Sequence, residues 1–180
     1  MAHGAVPFAV EVSLGRNSGL GQRAAMFGVM TALAMIMGYV EAQIPISLGV
    51  PGVKLGLANL VTMLCLYRMG PVAAALVSVT RIVLTGVTFG NLFSMLYALA
   101  GGAVSILVMI LMKKSGRFGP TGVSVAGGVA HNVGQLLVAA LVVENAGVLW
   151  YLPVLLPAGT VAGTLIGMLT GTVLERTGRL

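Results

Sequence analysis

Residues 91–112 read NLFSMLYALAGGAVSILVMILM, a run of 22 residues without a charged side chain. A helix that crosses the hydrocarbon core of a bilayer needs about 20 mostly apolar residues. Three further uncharged runs lie at 24–40, 118–143 and 145–174. Over all 180 residues, 58% of the side chains are hydrophobic and 8% are charged, whereas roughly a quarter are charged in soluble domains. The sequence therefore predicts an integral membrane protein.

Turn-forming residues divide the chain into six helices, because glycine, proline and asparagine interrupt the apolar runs. We expect these helices at 24–44, 54–68, 71–89, 91–112, 122–143 and 151–174. The predicted fold class is all-α, an integral membrane bundle of six transmembrane helices. The predicted divisions are a cytosolic or surface-lying tail at 1–22, a six-helix transmembrane domain at 23–176 and a C-terminal tail at 177–180.

The basic residues predict the orientation of this bundle. With the N-terminus inside, eight of the ten lysines and arginines fall in cytoplasmic segments, Arg81 lies within a helix, and Lys54 lies outside. Positively charged loops stay on the cytoplasmic side, so we expect both termini there (N-in/C-in). The basic residues behind the net charge of +6 then face anionic membrane lipid, and no nucleic-acid partner is expected.

The composition excludes several kinds of catalytic site. The chain has no aspartate, so it has no aspartate-rich magnesium–diphosphate motif and no Ser–His–Asp triad. Its one cysteine, Cys65, excludes an internal disulfide and a thiolate metal cluster. No GxxxxGK[ST] motif is present, so the chain cannot energise transport with ATP by itself. We expect a protein that is not an enzyme, with no catalytic residues, metal or cofactor.

Polar side chains inside the predicted helices indicate a candidate binding site. Arg81 lies ten residues after Pro71, about 15 Å along its helix and thus near the middle of the bilayer. A central arginine is costly in lipid, so it should face the bundle interior or a wet cavity. His131 lies equally deep in the fifth helix, with Gln135 one turn further out on the same face. The expected ligand-binding residues are Arg81, His131, Asn132, Gln135, Asn59, Thr85, Asn91 and Tyr97.

These residues also have structural alternatives. Arg81 can bond to backbone carbonyls, and the polar residues of the other helices can form interhelical contacts or caps. Glu41 and Lys54 bracket a loop at 45–53 and are expected at the rim or lid of an outward-facing pocket. Alternatively, the two form a solvated ion pair that contributes little to stability.

Small residues at four-residue spacing predict close helix packing. On the sixth helix these residues are Gly159, Gly163, Gly167 and Gly171. A similar strip on the first helix consists of Ala24, Gly28 and Ala32. This first-helix strip either packs inside the bundle or forms an exposed docking strip for another membrane subunit.

Four stretches in this order resemble a known bacterial membrane family. They are GYVEAQIP (38–45), PGVKLGLANLVTMLCLY (51–67), SVTRIVLTGVTFG (78–90) and AGGVAHNVGQLLVAAL (126–141). They are similar to the family named both heptaprenyl diphosphate synthase component I and Gx transporters. A more distant similarity extends to the substrate-binding (S) subunits of energy-coupling-factor transporters. The resemblance implies an S-component-like fold in the bacterial cytoplasmic membrane.

Three functions are consistent with these observations, and one of them is a purely structural assembly subunit whose polar residues all serve packing. The preferred hypothesis is a non-catalytic solute-binding subunit with an outward-facing pocket for a small polar or anionic solute. An ATPase and a membrane coupling subunit would be its partners, and Arg81 would be the counter-charge of the solute. The alternative is a non-catalytic accessory component of polyprenyl diphosphate and quinone biosynthesis, whose partner is a soluble prenyl synthase.

Overall fold

The computed structural model describes residues 19–43 and 56–177, and within these ranges every regular element is helical. The α-helices are α1 Leu20–Gln43, α2 Leu57–Arg68, α3 Pro71–Thr88, α4 Leu92–Lys114, α5 Pro120–Val142 and α6 Leu152–Thr177. A short 3-10 helix at Ala146–Tyr151 precedes α6. Each expected helix is present, and every end lies within four residues of its predicted position. The predicted loop at 45–53, Lys54 and almost all of the N-terminal tail lie outside the described residues.

Five helical segments are long and apolar enough to cross a membrane, which identifies a multi-pass membrane protein. They are Leu20–Gln43, Pro71–Thr88, Leu92–Lys114, Pro120–Val142 and Ala146–Thr177. The helix α2 is shorter than predicted, with 12 residues and thus a length of about 18 Å. The hydrocarbon core of a bilayer is about 30 Å thick, so α2 is too short to cross it alone. A bundle that crosses the membrane six times therefore remains a prediction.

The short helix α2 lies deep in the bundle and is held at both ends by charged side chains. Glu41 of α1 accepts hydrogen bonds from the backbone N–H groups of Gly56 and Leu57, at 2.7 and 3.0 Å. At the other end, the ammonium group of Lys113 in α4 donates to the Leu66 carbonyl. A negative group at the N-terminus and a positive group at the C-terminus both complement the helix dipole. Long-range contacts thus stabilise a helix that lacks a side-chain cap of its own.

Lys113→Met should lower the melting temperature of the purified protein by a few °C. Hydrogen bonds to charged groups contribute about 1.5–3 kcal/mol, and Lys113 also lies 4.6 Å from the ring centroid of Tyr67. The matched control is Lys114→Met, because Lys114 is exposed and adjacent. Thermal unfolding in one detergent measures both variants. Equal melting temperatures of the Lys113→Met and Lys114→Met variants would contradict a stabilising role for the Lys113 contact.

The helices α5 and α6 approach each other most closely, through the small residues of α6. A Cβ added at Gly163 would lie 2.7 Å from the Cα of Val125, and one at Gly167 would lie 2.5 Å from the Cα of Thr121. A Cβ at Gly159 would lie 2.8 Å from the Asn132 side-chain nitrogen and 3.0 Å from the Gly128 carbonyl oxygen, both of α5. Gly171 has no atom within 4 Å of such a Cβ. The predicted packing role is confirmed for the first three glycines and does not extend to Gly171.

The strip on α1 faces away from the described part of the bundle. Its three residues, Ala24, Gly28 and Ala32, are exposed, and a Cβ at Gly28 would meet nothing within 4 Å. The buried residues of α1 are Thr31 and Ala34, which lie beside this strip on the helix surface. Docking of another membrane subunit on the strip remains a prediction.

Candidate ligand cavity

A cavity of about 150 Å³ lies among the helices, and all six of them contribute residues to its wall. The polar lining residues are Glu41, Asn59, Arg81, His131, Asn132 and Gln135. The remaining lining residues are small or aliphatic: Gly56, Ala58, Ala98, Gly128, Ala158, Gly159, Ala162, Gly163 and Ile166. Five of the eight side chains expected to bind a ligand thus line one cavity.

Three of the expected residues do not line this cavity. Asn91 is the N-cap of α4, where its side-chain oxygen accepts a hydrogen bond from the Ser94 N–H at 2.8 Å. The Ser94 hydroxyl accepts in return from the Asn91 N–H, which completes a capping box. This contact matches the structural alternative for Asn91. Thr85 and Tyr97 are half-buried and lie outside the cavity lining, so their ligand roles remain predictions.

Arg81 of α3 is the cationic residue of the cavity wall. Its Nε atom is buried, and no described residue offers it a hydrogen-bond partner. Buried charged groups are usually paired, because an unpaired charge is costly to remove from water. Glu41 of the same cavity acts on Arg81 electrostatically, but the described contacts give no direct ion pair between them. An arginine in this environment can donate to the anionic group of a ligand.

Glu41 lines the cavity, and its expected place at the rim or lid remains a prediction. Each of its carboxylate oxygens accepts one backbone N–H from the start of α2, so its position is fixed by two hydrogen bonds. A carboxylate has about four acceptor positions, which leaves capacity for further donors. Lys54, the expected partner of Glu41 at the rim, lies outside the described residues.

The polar face of α5 combines cavity lining with contacts to both neighbouring helices. The Asn132 amide donates to the Leu155 carbonyl of α6 at 2.8 Å, which supports its interhelical alternative. A Cβ added at Gly101 of α4 would lie 2.6 Å from the Gln135 Cγ and 3.1 Å from the His131 Cε1. Gly101 therefore allows α4 to approach these two side chains closely. The contacts hold the polar face of α5 in place beside Arg81.

Residue spacing did not indicate that small residues line the cavity beside these polar groups. We expected Gly159 and Gly163 to serve packing alone, yet both also line the cavity, together with Gly128 and Ala162. One signal that could have indicated this role is the position of Gly159 and Gly163 along α6. The face of α6 that carries these glycines lies at the level of Asn132. Within the described ranges, no group of three or more histidine, cysteine or acidic side chains could hold a metal ion.

The fold and the cavity define a helical membrane protein with a polar, charged internal cavity. Residues 30–173 match the family described as heptaprenyl diphosphate synthase component I. The match covers most of the chain and includes every residue that lines the cavity. The chain therefore belongs to this family, as its resemblance indicated. No curated protein sequence matches the chain. The more distant similarity to substrate-binding subunits of energy-coupling-factor transporters remains a prediction.

Proposed function

We propose that the protein is a non-catalytic membrane component of polyprenyl diphosphate synthesis that recruits a soluble prenyl synthase. The family match over 30–173 carries this proposal, because the family description names one component of a synthase. The chain has no aspartate and so lacks an aspartate-rich motif for magnesium and diphosphate. A component of this composition contributes location and binding, while the chemistry belongs to its partner.

The turn between α4 and α5 suits the recruitment of a soluble partner. Lys114 and Arg117 are exposed there, while Lys113 is held against α2. In the orientation that the positive-inside rule predicts, this turn lies on the cytoplasmic side, where a soluble synthase can reach it. A basic turn is complementary to an acidic patch, which favours association and specificity. We therefore place the synthase contact at Lys114 and Arg117.

Reversal of both charges, Lys114→Glu with Arg117→Glu, should reduce the synthase retained on the tagged protein at least ten-fold. Both residues are exposed, so the melting temperature should stay within a degree or two of the wild-type value. Quantitative mass spectrometry after purification from native membranes measures the retained synthase. The control is Arg176→Glu, which reverses an exposed charge at the end of α6 on the same predicted side. Equal retention by the wild type and both variants would contradict the proposed contact.

The cavity favours a second candidate function, a solute-binding subunit of a membrane transporter. The observation behind it is the buried Nε of Arg81, which has no partner among the described residues and faces a polar cavity. In this function an ATPase pair and a membrane coupling subunit supply energy, and the exposed strip on α1 is their docking surface. Recovery of such subunits without a synthase would support the second candidate and contradict the first.

A further inference from the structure

We propose that the cavity binds a small zwitterion, a molecule of amino-acid size with one carboxylate and one ammonium group. The proposal rests on the second candidate function only in requiring that the cavity is a ligand site. It does not depend on the recruitment of a synthase.

The charges of the cavity wall come as one opposite pair. Among the described lining residues, Arg81 carries a positive and Glu41 a negative formal charge, and the two cancel. The buried Nε of Arg81 needs an acceptor, which a ligand carboxylate provides. The Glu41 carboxylate is fixed by two backbone N–H groups and retains capacity for an ammonium donor. A ligand with a carboxylate and an ammonium group satisfies Arg81 and Glu41 at the same time.

A ligand that is only anionic fits these charges less well. Bound to Arg81, it would also face the Glu41 carboxylate across the same small cavity. Like charges repel more strongly in the protein interior than in water, because the effective dielectric constant is lower. A diphosphate carries more negative charge and would be disfavoured further. A zwitterion leaves the occupied cavity neutral.

The size of the cavity limits the ligand to a few heavy atoms. An engineered protein cavity of about 150 Å³ binds benzene, which has six heavy atoms, and alanine has the same number. A long prenyl chain does not fit in this volume. The uncharged amides of Asn59 and Gln135 can donate to or accept from the remaining polar atoms of a ligand.

The test is isothermal titration of the purified full-length protein in nanodiscs of neutral phospholipid. Glycine, β-alanine and γ-aminobutyrate vary the distance between the two charges, while acetate, ethylamine and inorganic diphosphate each lack one of them. We expect one of the three zwitterions to bind at a single saturable site at least ten-fold more tightly than acetate, ethylamine or diphosphate. The proposal is overturned if acetate, ethylamine or diphosphate binds as tightly as the best zwitterion, or if none of the three zwitterions binds at a saturable site.

Two charge-neutralising variants assign each end of the ligand. Arg81→Gln and Glu41→Gln should each weaken the tightest zwitterion at least ten-fold. Acetate should bind more weakly to Arg81→Gln but more tightly to Glu41→Gln, because the second change removes the repulsion. A Glu41→Gln variant that strengthens zwitterion binding would overturn the proposal. Because Glu41 also caps α2, the wild-type selectivity series decides the question if this variant does not fold.

The outcome is separable from the proposed function. Synthase retention depends on Lys114 and Arg117, which lie outside the cavity lining. The matched control for Glu41→Gln is Glu144→Gln, which removes the same charge from a residue that is exposed in the segment after α5.

Discussion

Arg81→Met should reduce ligand affinity about 100-fold or more while the protein remains folded. The guanidinium is the cationic group among the described cavity-lining residues, and a buried charge–charge contact with a ligand contributes several kcal/mol when one partner is removed. Methionine is apolar and flexible, so it can occupy the same space without the cost of a buried charge. The melting temperature should therefore stay constant or rise. Calorimetric titration with the tightest-binding probe of the six measures the affinity, and thermal unfolding measures the stability.

The matched control for this prediction is Arg68→Met. Arg68 of α2 donates to the Leu174 carbonyl and to the Thr177 hydroxyl of α6, and it lies away from the cavity. Its replacement should lower the melting temperature without a change in ligand affinity. If Arg81→Met instead destabilises the protein and keeps its affinity, then Arg81 is a structural residue and the cavity assignment is wrong.

Gly163→Ala should lower the melting temperature by roughly 2–12 °C and weaken ligand binding. The added Cβ would lie 2.7 Å from the Cα of Val125 and 2.8 Å from the carbonyl oxygen of Ser124. These are backbone atoms, so α5 and α6 must separate to admit the methyl group. Overpacking of this kind costs about 1–3 kcal/mol, and about 1 kcal/mol shifts the melting temperature by roughly 2–4 °C in a chain of this size. Because Gly163 also lines the cavity, the added methyl group changes the shape of the cavity, which weakens ligand binding.

Gly171→Ala is the control for the α6 ladder, because the same change on the same helix meets no atom within 4 Å. Alanine favours a helix more than glycine does, so this variant should be as stable as the wild type or slightly more stable. Equal destabilisation by the two substitutions would mean that the loss comes from the backbone and not from the packing of α5 against α6.

The positions of the helices could be predicted because the membrane imposes simple rules on the sequence. A spanning segment must be apolar for about 20 residues, and turn-forming residues interrupt the apolar runs, so the helix ends could be predicted to within four residues. The same rules placed Arg81 and His131 at a similar depth, and the two residues do line one cavity. Depth along a helix follows from residue count alone, which is why this part of the site was predictable.

The remaining features depend on tertiary contacts that residue spacing does not contain. Thr85 follows Arg81 by one turn, yet the arrangement of neighbouring helices leaves it outside the cavity lining. Glu41 was expected at the rim because it comes shortly before the predicted loop at 45–53. Its place in the wall follows from its bonds to the start of α2, 15 and 16 residues further along the chain. The evenly spaced glycines of α6 could be recognised as a packing surface. Their second role, as part of the cavity lining, depends on the neighbouring polar face of α5.

The partner of this protein is identified most directly by a native mass spectrum of the intact complex, gently extracted from its own membrane. We predict a complex of this chain with a soluble prenyl synthase, which is lost when Lys114 and Arg117 are both changed to glutamate. A complex with an ATPase pair and a membrane coupling subunit, without a synthase, would contradict the proposed function and establish the transporter alternative.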